Sequence, residues 1–125
     1  MKTIQEISQS LNHIRSIIDT DIVEVDIDQQ QNKLLMLTQI IGLSAECKAS
    51  SKKILHLKEL DVLSELNLTD MQPSIIGKML TAKTAHEIAL LEYSDRINSA
   101  VIHSIDAIRS IISLYKTELE NSLKS

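Results

Sequence analysis

Apolar residues recur along this chain at intervals of three and four, and the places where that rhythm starts, changes and stops divide it into four helices. The first follows Thr3, which stands three residues before Glu6 in the spacing of a capping box. Ile4, Ile7, Leu11, Ile14 and Ile18 then form one narrow stripe. From Asp19 to Asp28 the period drops to two, with Val23, Val25 and Ile27 alternating with Glu24, Asp26 and Asp28. We read this segment as an acidic extended linker; the alternative is a strand that pairs with a second copy of the chain. Helix two starts at Asp26 or Asp28, each with Gln three residues on, and runs to about Glu59. Its main stripe is Met36, Ile40, Leu43, Cys47, Ser50, Ile54 and Leu57. A second stripe, Leu34, Leu37 and Ile41, occupies the first half only and gives way to Lys48, Lys52 and His56. Something therefore covers the first half alone, and helix one, about half as long, has the right size.

Asp61 to Gln72 reads as a connection, and Pro73 suits the first turn of a short helix ending near Leu80. Thr84 with Glu87 repeats the capping-box spacing, so helix four begins there or at Thr81. With no breaker afterwards it runs about 38 residues, or roughly 57 Å. One face carries Leu90, Ile97, Val101, Ile108, Ile111 and Tyr115, widened towards the C-terminus by Ile105, Ile112 and Leu119. In an antiparallel hairpin that widened half lies beside the doubly striped half of helix two. Both predict a three-helix section closed by helix one, with the opposite end a two-helix arm capped by the short helix. The expected fold is thus all-α, one domain over residues 1–125, built on a long antiparallel helical hairpin. A two-helix arm has a thin core, and each aliphatic side chain it leaves wet forgoes about 1.5–3 kcal/mol. Completion of the bundle by a homo-oligomer is therefore expected, with Met36, Ile40, Leu43, Ile54, Leu57, Leu90 and Ile97 as the candidate interface.

Composition narrows the functional classes. The core is aliphatic, since the chain has no Trp or Phe and only two Tyr, Tyr93 and Tyr115. A formal charge of −4 weakens the electrostatic case for nucleic acid, and two tyrosine rings leave little for base stacking. Cys47 is alone and lies in an apolar stripe, which suits a buried small hydrophobe in a reducing cytoplasm better than a nucleophile. No apolar stretch approaches the roughly 20 residues of a membrane span, and nothing at the N-terminus resembles a secretory signal. The five carboxylates between Asp19 and Asp28 lack the central glycine and terminal Glu of a calcium loop. No metal and no cofactor is expected. Lys48, Lys52, Lys53 and Lys58 read as a solvated face before they read as phosphate contacts.

The polar side of helix four is the most patterned part of the chain: Arg96, Asn98, His103, Asp106, Arg109, Ser110, Ser113, Lys116 and Glu118. His103 as a general base oriented by Asp106 would need a pocket that excludes water, and one convex helix face supplies none. Catalysis is therefore not expected. The plain alternative is an Asp106–Arg109 pair on a solvated surface, contributing about 0.3–0.5 kcal/mol. The stretch Arg96 to Leu119, written R-x-N-x(4)-H-x-x-D-x-x-R-S-x-x-S-x-x-K-x-E, resembles the C-terminal helix of small helical proteins encoded by bacteriophages and prophages. The run Ala45-Glu46-Cys47-Lys48 and the Pro73-Ser74 pair are similar too, so the resemblance spans most of residues 34–119. It implies an accessory or adaptor role near phage DNA replication or recombination, inside a bacterial host, and carries over no catalytic residue. The alternative is an inhibitor of a host defence system that masks an effector or sequesters a signalling nucleotide between subunits. Arg96, Asn98, His103, Asp106, Arg109 and Lys116 form the candidate recognition surface for an unidentified protein, or more weakly for nucleic acid or a nucleotide.

Overall fold

The computed structural model describes residues 2–21 and 26–124. Four helices follow in order: α1 (Ile4–Ile18), α2 (Ile27–Glu65), α3 (Pro73–Lys83) and α4 (Ala85–Lys124), with a 3-10 turn at Leu68–Asp70 before α3. The all-α expectation holds, and no strand occurs among the described residues. Val23, Glu24 and Val25 of the alternating segment lie outside those residues, while Ile27 and Asp28 at its end form the first turn of α2.

Local chemistry sets most of the helix starts. Thr3 Oγ1 accepts from the Glu6 amide at 3.2 Å and Glu6 Oε1 accepts from the Thr3 amide at 3.4 Å, the reciprocal pair that occupies two free donors. Asp26 caps α2 by accepting from the Gln29 amide at 3.1 Å. At the other end of α1, Lys33 of α2 donates to the carbonyls of Ile18 and Thr20 at 2.8 and 3.1 Å. A cation thus meets unpaired carbonyls at the negative end of a helix and ties α1 to α2. The expected box at Thr84 does not form. Thr84 donates its hydroxyl to the Leu80 carbonyl at 2.7 Å, and the Ile88 amide bonds the Thr84 carbonyl, so α3 passes into α4 through one buried residue.

The long helices are antiparallel: Ser51 meets Ser94 (Oγ–Oγ 2.8 Å), Lys48 meets Asp95 (3.0 Å) and Ser44 donates to Asn98 Oδ1 (3.0 Å), one number rising as the other falls. Their seam is a heptad line on each helix, Gln30, Leu37, Ser44 and Ser51 on α2 facing Glu87, Ser94, Val101 and Ile108 on α4, all buried. Cys47 and Ser50 of the expected main stripe and Leu37 of the second are buried, but the line through Leu37, Ser44 and Ser51 runs one residue away from Met36, Leu43, Ser50 and Leu57. Ser44 and Ser51 sit at its centre, where their small side chains are fully buried and bond directly to Asn98 and Ser94 of α4. Met36 and Leu57, one residue back, are rotated to the flank and stand 47% and 46% exposed; Ile40, Leu43 and Ile54 are half-buried. Leu90 and Ile97, expected at an intersubunit edge, are instead only 7% and 6% exposed, inside the chain's own core.

α1 closes a three-helix section as expected, burying Ile7, Leu11, Ile14 and Ile17. It covers the first half of α2, but on α4 it lies along the N-terminal half, from Tyr93, which donates to Asn12 Oδ1 at 3.1 Å, to about Ile108 near the middle, and not along the widened C-terminal half. Beyond Ile112 every described residue of α4 is exposed, so Tyr115 and Leu119 lie outside the core that their spacing suggested. The short helix α3 meets both α2 and α4 but buries none of its residues. α2 runs to Glu65, past the expected end near Glu59, because Val62 packs and is buried. The accessible surface is 8347 Å², against about 6,700 Å² for a compact monomer of this mass.

Candidate functional site

The polar face of α4 begins with what the helix geometry allows. Arg96 and Arg109 are separated by about 20 Å along the axis and about 140° around it, so a single flat ligand does not reach both. Arg96, His103, Asp106, Arg109 and Lys116 are all exposed. Asn98 is half-buried and receives the hydroxyl of Ser44, which makes it part of the α2–α4 seam and not of an open surface. The Asp106–Arg109 pair does not form: among the described residues the ion pairs are Arg15–Asp19 and Lys48–Asp95. Ser110 and Thr117 return their hydroxyls to the carbonyls of Asp106 and Ser113 on their own helix at 3.0 Å each, and so offer less to a partner. Around Arg109 only a shallow depression of about 490 Å³ remains, shared with Ser110, Ser113, Leu114 and Thr117.

Arg96 has a different setting. It lines a groove of about 370 Å³ between α1 and α4, together with Arg15, Ile18, Asp19, Tyr93, Ile97 and Ala100. Arg15 Nε lies 3.5 Å from Asp19 Oδ2, one helical turn on. The Tyr93 phenol, and after it the Asp19 carboxylate, push the pKa of the Arg15 guanidinium above its ordinary value. Two helices thus place two guanidinium groups and one phenol ring in one groove. Sequence reasoning found Arg96 but missed Arg15, since nothing in the spacing along α1 says which turn of α4 it will meet. The contact is set by the three-helix packing.

A second opening of about 590 Å³ lies under the end of α1, beside Lys33, Gln30, Ser104 and Ile111. Its lysine is already committed to the α1 carbonyls. Cys47 is fully buried; burial pushes its pKa up, with Lys2 and Ser10 of α1 opposing, so the thiolate is disfavoured. Glu87 is buried at the α3–α4 end of the seam, and its Oε2 has no hydrogen-bond partner among the described residues. Among those residues no three His, Cys, Asp or Glu side chains gather as a metal site would require. Nor is any described helix long and apolar enough to cross a membrane. No family model matches the chain, and neither does any curated protein or solved structure.

Proposed function

We propose that the protein is a self-associating helical adaptor without catalytic activity, serving phage DNA replication or recombination in the cytoplasm of a bacterial host. The observation that carries self-association is surface. One chain exposes about 1,600 Å² more than a compact monomer of its mass, and a standard interface takes about 800 Å² from each partner. The exposed side chains are the wrong kind to remain wet: Leu35, Met36, Leu57 and Leu60 on α2, Ile75 on α3, and Leu114, Tyr115, Leu119 and Leu123 on α4. Met36 and Leu57, with half-buried Ile40, Leu43 and Ile54 between them, form the α2 flank that a second copy would cover. The phage context rests on the resemblance of residues 96–119, and the absence of a catalytic role on the open, convex setting of His103 and Asp106.

The test is the double substitution Met36→Glu, Leu57→Glu. Both residues are exposed in the chain, so helical circular dichroism should be unchanged while the native mass falls to 14.0 kDa. A wild-type oligomer that keeps its mass with both glutamates in place would reject this flank as the interface. A defence inhibitor that captures a nucleotide is the second reading, and the Arg15–Arg96 groove is the feature that favours it.

A further inference from the structure

We propose that the groove between α1 and α4 at Arg15, Tyr93 and Arg96 binds a phosphodiester flanked by a planar base, as a small nucleotide carries. The charges lining it are Arg15 and Arg96 against Asp19, a balance of one positive charge. That matches the single negative charge of a phosphodiester better than the double charge of a terminal phosphate, which Asp19 would repel. Guanidinium groups offer two parallel donors to phosphoryl oxygens and also stack on flat rings. Arg15 is oriented along the groove by Asp19, whose Oδ2 lies 3.5 Å from its Nε, and its remaining guanidinium donors are open to a ligand. Arg96 is exposed and has no ion pair among the described residues, leaving its charge for a partner.

The rest of the lining suits the organic part of the ligand. Ile18, Ile97 and Ala100 form an apolar floor and Tyr93 contributes an aromatic ring beside the cations. A volume of about 370 Å³ lies within the range of small-molecule sites. A long nucleic acid would need an extended cationic track, whereas the chain carries a net charge of −4. The geometry therefore points to a small nucleotide as the source of the phosphodiester. The site lies within one chain and does not rest on self-association, so either proposal can fail alone.

Calorimetric titration of the full chain with 3′,5′-cyclic AMP, AMP, adenosine and a thymidine oligonucleotide tests the assignment. Cyclic AMP is expected to bind best among the monomers, with AMP weaker and adenosine weakest. Arg96→Ala should lower the affinity for cyclic AMP by about tenfold or more, since a charge-assisted hydrogen bond is lost, while leaving helical dichroism unchanged. Arg96→Lys keeps the charge but not the paired donors and should fall between. Salt-sensitive oligonucleotide binding that depends on Arg96 and competes with cyclic AMP would keep the phosphodiester chemistry and make nucleic acid its source. The proposal is overturned if neither cyclic AMP nor the oligonucleotide binds below about 1 mM. Equal binding of adenosine, or indifference to Arg96→Ala, would overturn it as well. So would an acidic peptide that binds through Arg96 where cyclic AMP does not.

Discussion

Replacing Ser51 by Ala removes one half of a hydrogen bond that sits at the centre of the hairpin seam. Ser51 and Ser94 are both fully buried and 2.8 Å apart, so the hydroxyl left behind loses its partner without gaining water. The lost bond is worth about 0.5–1.5 kcal/mol and a stranded buried hydroxyl costs about 1–3 kcal/mol. A helical serine can return its hydroxyl to the carbonyl four residues earlier, which moves the expected cost of either Ser51→Ala or Ser94→Ala to about 1–2 kcal/mol. With 125 residues and about 2.1 cal/mol/K of unfolding entropy per residue, each kcal/mol lowers the melting temperature by about 4 °C. The double variant removes both polar groups and leaves methyl groups that fit the same space, so it should be nearly as stable as wild type. The assay is a double-mutant cycle by urea unfolding at fixed protein concentration, with an expected coupling of about 2–4 kcal/mol, the two single costs being recovered in the double variant. Additive single effects would refute a closed Ser51–Ser94 contact. Equally damaging would be a Ser51→Leu variant more stable than wild type, because a seam this close has no room for the added atoms.

Lys33→Ala should destabilise the protein by about 1 kcal/mol through the exposed end of α1, which hydrogen exchange at residues 15–20 would report as faster opening in that segment. Glu87→Leu should raise stability by about 1–2 kcal/mol, because a buried carboxylate oxygen without a partner is replaced by packing surface; a loss in urea titration would mean that the carboxylate has a stabilising role. Cys47 should resist thiol reagents in the folded protein and react at the rate of global unfolding, whereas fast labelling under native conditions would show that α1 does not cover it.

The helices were legible because their signals are local. The Thr3–Glu6 box, the Asp26 cap and Pro73 at a first turn each act within a few residues, and the half-length second stripe on α2 correctly asked for a short covering helix. The rotation of α2 was not legible. A stripe drawn through the largest apolar residues runs through Met36 and Leu57, whereas close approach of two helices selects small residues, and Ser44 and Ser51 carry no hydrophobic signal. Tyr115 and Leu119 continue the apolar spacing of α4 beyond its coverage, because periodicity records a face but not the length of the neighbour that meets it. For the site, Arg96 could be picked out as part of a polar pattern. Its pairing with Arg15 depends on the level at which α1 crosses α4, fixed by Lys33 and by the Tyr93–Asn12 bond, neither of which is a sequence motif.

The claim that one chain leaves a partner-sized surface open is tested most directly by native mass. Sedimentation equilibrium over a range of concentrations, on protein that circular dichroism shows to be helical, should return at least twice the 14.0 kDa chain mass. A monomer at every concentration would contradict the account, and the exposed flank of α2 would then be ordinary surface.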